Sequence, residues 1–283
     1  MMGAEEGHVA FRGYRTGYRV VGDRNSGAVP LLALHGGPGS THNYFEPLER
    51  LADTRPVVVY DQIGCGKSDR PTDIDWSVEV FREEVDAVRD QLELDRIHLL
   101  GTSWGGMLAL EHVLAGATGI VSLIPSSTLA DIDEWAHEQR RLLREMGLEP
   151  VSAEDPDHER IERLYFDHHF YRGPKPRPEI DRMYAERNLD VYHAMQGPDE
   201  WTVTGALRGW DVRDRLGEVD VATLVIRGRY DMSTEKIAAT LVNGIRDARE
   251  VVLENSSHTP VLEETEAYLA AIDGFMRAQN TPA

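Results

Sequence analysis

The sequence predicts an α/β fold, with a mainly parallel sheet and an inserted helical cap. Three observations carry that expectation. Short apolar runs alternate with helix-period patterns through the first half of the chain. Over residues 130–204 strand-like runs disappear while charge, aromatics and prolines rise. Apolar runs then return. On this reading residues 1–129 and 205–283 form two parts of one core, with 130–204 as the cap.

Taken in order, residues 29–34 and 56–60 are apolar runs that each lead into a glycine-rich loop, as buried strands ending at functional turns do. Between Ser77 and Leu92 the apolar residues Val78, Phe81, Val85, Val88 and Leu92 recur at steps of three and four, marking one buried helix face. Residues 96–100 read as a strand and 106–110 open a helix. Inside the cap, prolines cluster at Pro174, Pro176 and Pro178. Residues 222–228 and 250–253 restore the strand pattern, and 263–277 read as one closing helix. There is no internal repeat.

The chain has 283 residues, enough for one large domain with a buried sheet. Its 49 acidic against 30 basic residues give a formal charge of −19, which repels nucleic acid and anionic lipid. The N-terminus lacks the basic start and apolar core of a signal peptide, and no run approaches the roughly 20 apolar residues of a membrane span. The expectation is a cytoplasmic protein without nucleic-acid or membrane partners. A single cysteine, Cys65, rules out an internal disulfide.

The chemistry centres on Gly101-Thr102-Ser103-Trp104-Gly105, a G-x-S-x-G pattern lying between a predicted strand and a predicted helix, the context a nucleophile elbow requires. A serine hydroxyl needs a histidine to take its proton and a carboxylate to hold that histidine's tautomer. Asp231 and His258 follow the strands at 222–228 and 250–253, in the chain order serine, acid, histidine. His98 lies inside a strand, and His168 and His169 fall in the cap. The loop His35-Gly36-Gly37-Pro38-Gly39 follows an apolar strand and can present amides to an oxyanion; the N–H groups of Gly37 and Trp104 are the expected donors. Gly64-Cys65-Gly66-Lys67-Ser68 lacks the spacing of a phosphate loop, which argues against nucleotide binding. Asp167-His168-His169 lacks the i, i+4 spacing of a metal pair, so no metal is expected.

Together, His35-Gly36-Gly37-Pro38-Gly39, residues 61–68 (Asp-Gln-Ile-Gly-Cys-Gly-Lys-Ser), Gly101-Thr102-Ser103-Trp104-Gly105-Gly106 and Gly197-Pro198-Asp199-Glu200-Trp201 resemble the proline iminopeptidase family of α/β hydrolases over nearly the whole chain. The resemblance implies the α/β-hydrolase fold, a triad of Ser103, Asp231 and His258, no cofactor, and cleavage of the amide that joins an N-terminal amino acid to the rest of a small molecule or short peptide. Family members hold the substrate's free ammonium with carboxylates. Glu200 matches the family's cap glutamate, whereas the second glutamate's place, directly after the triad aspartate, is taken by Met232. That contact is expected to be lost or moved to Glu235 or Asp199, leaving a more apolar site. Specificity is expected from cap residues such as Trp135, Tyr165, Phe166 and Tyr184.

Relatives of this family also remove protective aminoacyl groups during antibiotic assembly, including that of macrolactam polyketides. A bias to arginine, with only Lys67, Lys175 and Lys236 as lysines, resembles the GC-rich coding of antibiotic producers. Two alternatives stay open: a carboxylesterase using the same triad, and a non-catalytic receptor that uses the pocket for binding. The sequence leaves the oligomeric state undetermined.

Overall fold

The computed structural model describes residues 3–279 except 176. Met1, Met2 and Pro176, on which the readings of the N-terminus and the proline cluster partly rest, lie outside the described residues. The chain opens with β1 (Ala4–Phe11) and β2 (Tyr14–Val21), an antiparallel hairpin. Its turn residues Arg12 and Gly13 both have positive φ, at 50° and 86°, the backbone that a tight two-residue hairpin demands. Next come β3 (Leu31–Leu34), a 3-10 segment (His42–Asp53), β4 (Val57–Tyr60), α1 (Val78–Gln91), β5 (Ile97–Thr102), α2 (Trp104–Leu114) and β6 (Ile120–Ser126). The inserted helices are α3 (Ile132–Glu145), α4 (His158–His169), α5 (Pro178–Glu186) and α6 (Leu189–Met195). The chain closes with β7 (Thr223–Gly228), α7 (Glu235–Gly244), β8 (Ala248–Leu253), α8 (Pro260–Glu263) and α9 (Thr265–Gln279).

Among the described residues these strands form an eight-stranded sheet in the order β1-β2-β4-β3-β5-β6-β7-β8. The pairs β1/β2 and β2/β4 are antiparallel and the others parallel. The inner strands β3 and β4 read as unbroken apolar runs because both faces are covered. Leu32, Leu34, Val58 and Leu99 join one apolar layer with Val85, Val88 and Leu108 of α1 and α2. Their neighbours Leu31, Ala33, Val57 and Leu100 join the opposite layer with Tyr268, Ile272 and Phe275 of α9. Helix α1 starts where Ser77 accepts a hydrogen bond from the Val80 N–H, and it buries Val80, Phe81, Val85 and Val88.

The insertion lies between β6 and β7 and enters and leaves on one stem. Ile132 N–H donates to the Trp210 carbonyl at 3.0 Å and Val212 N–H to the Ala130 carbonyl at 2.9 Å. The closing helix expected over 263–277 is α9, which starts at Thr265 after a break at Glu264, whose φ and ψ of −128° and 55° are not helical; the short α8 precedes that break. No helix among the described residues is long and apolar enough to cross a membrane.

The topology decides where chemistry can assemble. In an open parallel sheet the loops at the carboxyl ends of the strands converge, most of all where the strand order reverses. Strands β3 and β5 are neighbours at that reversal, so the loop after β3 meets the turn after β5. The loops after β7 and β8 open on the same edge.

Candidate active site

Ser103 sits between β5 and α2 with φ 56° and ψ −123°, a strained backbone for a residue with a Cβ. So sharp a turn leaves no room around it. A Cβ at Gly101 would overlap the Gly105 carbonyl, and one at Gly105 would overlap the Leu34 carbonyl of β3. The Ser103 N–H is anchored to the Ser126 carbonyl at 2.9 Å, and its carbonyl accepts from the Thr128 hydroxyl at 2.7 Å.

Asp231 and His258 meet across the loops after β7 and β8. His258 Nδ1 lies 2.7 Å from Asp231 Oδ1, and both residues are buried. A carboxylate oxygen accepts, so Nδ1 carries the proton and Nε2 is left with a free lone pair in the neutral ring. Asp231 is itself fixed: Oδ1 accepts from the Ser233 N–H at 2.8 Å and Oδ2 from the Gly228 N–H at 3.1 Å. Ser103 and His258 share the wall of one open cavity of about 220 Å3.

Gly36, Gly37 and Pro38 border the same cavity. The Gly36 N–H is committed to the Tyr44 hydroxyl at 2.6 Å, and its carbonyl accepts from His35 Nδ1 at 2.9 Å. The next amide, that of Gly37, has no hydrogen-bond acceptor among the described residues. Trp104 opens α2, where first-turn amides have no intrahelical acceptor. Gln62 ties the two halves together: Nε2 donates to the His35 carbonyl at 2.8 Å, and Oε1 accepts from Trp104 Nε1 at 2.8 Å. The Gln62 N–H donates to His35 Nε2 at 2.9 Å, which makes His35 a neutral Nδ1–H tautomer; burial pushes its pKa down to about 4. Gln62 opens the 61–68 loop, pinned by Asp61 and by Glu84, whose Oε1 accepts from the Ile63 N–H at 2.8 Å. Cys65 in this loop is fully buried, as suits a turn residue.

Two carboxylates border the cavity, Glu200 and Glu162. Glu200 accepts from the Tyr192 hydroxyl at 2.9 Å and from Trp135 Nε1 at 3.1 Å. Burial raises its pKa against these donors and the nearby His258. Trp135 also packs on His258, ring centroids 5.8 Å apart, which places Glu200 beside the histidine end of the cavity. Glu162 escapes a reading based on loop motifs. It shares a face of α4 with His158 and Phe166, at i, i+4 and i+8, and all three line the cavity. Burial raises its pKa, and the charges of His158 and Arg187 oppose the rise.

The two substitutes expected for the family's second glutamate are not in the cavity. Glu235 is exposed in the first turn of α7, where the helix dipole favours a carboxylate, because Thr234 caps that helix and turns the chain outward. Asp199 is fully buried behind the wall, accepting from His158 Nε2 at 3.0 Å and the Trp201 N–H at 3.0 Å. Met232 does line the cavity, beside apolar Phe166, Phe170 and Met183. Of the aromatic residues expected to set specificity, Phe166 and Tyr184 border the cavity, and Trp135 does not but donates to Glu200, which does. Tyr165 is buried, its hydroxyl donating to Gln139.

Comparison with known proteins agrees with this architecture. The sequence profile of the α/β hydrolase fold matches residues 29–265. The chain is 38% identical to a proline iminopeptidase of Levilactobacillus brevis, over 99% of this chain and 98% of that protein. It is 39% identical to one of Lactiplantibacillus plantarum, over 95% and 99%. Among solved structures, that of VinJ superposes with a TM-score of 0.89 at 34% identity, over 97% of this chain and 99% of the other. The proline iminopeptidase of Mycobacterium smegmatis superposes with a TM-score of 0.86 at 33% identity, over 97% and 98%. With its nearly full-length relatives, its sheet order and its strained serine turn, this chain belongs to the proline iminopeptidase family of α/β hydrolases and is a serine hydrolase.

Proposed function

We propose that this enzyme hydrolyses the amide linking an N-terminal aminoacyl group with a free α-amine to a short peptide or a specialised small molecule. The observation that carries the reading is the convergence of Ser103, the His258–Asp231 pair and the doubly held Glu200 on one cavity. A partly desolvated carboxylate beside the nucleophile suits an ammonium, whose arrival supplies the counter-charge Glu200 lacks.

In this mechanism His258 Nε2 takes the Ser103 proton as Oγ attacks the aminoacyl carbonyl. The N–H groups of Gly37 and Trp104 receive the developing oxyanion, each worth about 3 kcal/mol of barrier. His258 then gives its proton to the leaving amine. Water, deprotonated by the same nitrogen, attacks the aminoacyl-serine, and the second collapse releases the amino acid and restores Ser103. Asp231 stays ionised and holds the imidazole throughout. Helices α3–α6 serve as the cap that closes the site, and Met232 with the aromatic wall favours a hydrophobic leaving group, such as a macrolactam polyketide intermediate of antibiotic assembly.

The test compares free-amine and N-acetylated aminoacyl anilides with wild type and Glu200→Ala. The reading expects turnover of the free amine alone and loss of that preference in the variant. Equal cleavage of acetylated substrates or simple esters would make the enzyme a carboxylesterase. Absence of a fluorophosphonate adduct on Ser103 would make it a receptor.

A further inference from the structure

We infer that His169, the last residue of α4, is a positioning residue that ties the inserted helices to both loops of the proposed Asp231–His258 pair. This inference rests on the triad reading above. His169 Nδ1 lies 2.8 Å from the carbonyl of Tyr230, the residue before Asp231. Its own carbonyl accepts from the His258 N–H at 3.0 Å. The next carbonyl, of Phe170, accepts from the Thr259 hydroxyl at 2.9 Å. Two consecutive carbonyls at the end of α4 thus hold two consecutive residues of the histidine loop, while the ring between them holds the acid loop.

The side-chain chemistry is selective. A carbonyl only accepts, so Nδ1 carries the proton, and a hydrophobic residue of similar size would fill the space but leave the Tyr230 carbonyl without its donor. The ring is buried against Tyr165, centroids 5.2 Å apart. Burial lowers its pKa to about 4, so the neutral donor persists through the neutral range. The two loops also meet directly, through the Tyr230 N–H and the Ser256 carbonyl at 3.0 Å; His169 adds the link to the insertion. Helix α4 presents Glu162 and Phe166 to the cavity, so the face a substrate meets and the end that holds the two loops belong to one helix. His169 lies about 10 Å along that helix from Glu162, at 1.5 Å per residue.

The test reads the low-field Hδ1 proton resonance of His258, assigned by its absence in His258→Gln, in wild type, His169→Phe, His169→Asn and Thr259→Val. Turnover and thermal melts are recorded alongside. His169→Phe is expected to lose the resonance to exchange and to lower kcat about tenfold to a hundredfold with KM within about twofold, the scale of a small misplacement of a catalytic group. His169→Asn, whose amide N–H can reach the Tyr230 carbonyl, is expected to restore both. Thr259→Val, which removes the neighbouring tie to the Phe170 carbonyl, is expected to weaken the resonance in the same direction, and should His169→Phe not fold, His169→Leu takes its place beside His169→Asn. A wild-type resonance and kcat in His169→Phe, or an Asn variant no better than Phe, would overturn the inference. The resonance is read on the free protein. An enzyme inactive on every aminoacyl amide would therefore overturn the substrate reading while leaving the test of His169 intact.

Discussion

Glu84 gives the stability of this fold a pH dependence that can be worked out in advance. The side chain comes from α1 and is fully buried beneath the 61–68 loop. Oε1 accepts from the Thr16 hydroxyl and from the Ile63 N–H, while Oε2 and the nearby buried Tyr60 hydroxyl have no partner among the described residues. Burial without a counter-ion raises its pKa from 4.5 to about 8. The folded state therefore holds this proton where the unfolded chain has released it. The stability that follows is whole below pH 4.5 and is lost as pH rises toward about 8. At about 1.4 kcal/mol per pH unit, the interval amounts to about 5 kcal/mol, a large part of the total for a domain. Glu84→Gln keeps the acceptor for Thr16 and Ile63 and cannot ionise. Urea unfolding of both proteins at steps between about pH 4 and pH 8.5 should give curves that coincide at the acid end and separate steadily, with the Gln variant the more stable at the alkaline end. Parallel curves across that range would refute the argument.

Other expectations follow from the site. Ser103→Ala should lower kcat about a millionfold and abolish fluorophosphonate labelling, read by intact mass. Glu200→Gln should raise KM for free-amine substrates about tenfold to a hundredfold, the worth of a charge-assisted hydrogen bond. Gln62→Leu, which cuts the tie between the His35 carbonyl and the Trp104 indole, should lower kcat about tenfold or more at similar KM. Gly101→Ala should fail to give soluble folded protein, since its Cβ would overlap backbone rather than a movable side chain.

The core of the fold was legible where local pattern and tertiary role coincide. Strands β3, β4, β5 and β7 are buried on both faces, so they stand out as apolar runs, and α1 shows its buried stripe at helical spacing. The hairpin of β1 and β2 did not stand out, because its edge strand is mostly exposed and carries Glu5, Glu6 and Gly7. Ser103, Asp231 and His258 could be picked out because each follows a recognisable strand within a distinctive turn. The second cavity carboxylate could not. Glu162 gains its position only when α4 folds over the sheet, whereas Glu235, nearer in sequence to Asp231, is carried outward by α7. Spacing argues against His169 as a metal ligand but says nothing more of it, and its hydrogen bonds to the two loops reach residues 61 and 89 positions away along the chain, beyond what a local motif can reveal.

The sealed thiol of Cys65 makes the protein its own gauge of local opening. Burial raises the thiol's pKa well above its ordinary value, and alkylating reagents act on the accessible thiolate. Modification must then wait for the 61–68 loop to lift. Because the chain contains one cysteine, every alkylation comes from that site, and its rate in the folded protein, set against that of a free thiol, reports what fraction of the time the floor under the glycine-rich loop stands open. Ligands that steady that floor should slow the reaction without ever touching sulfur.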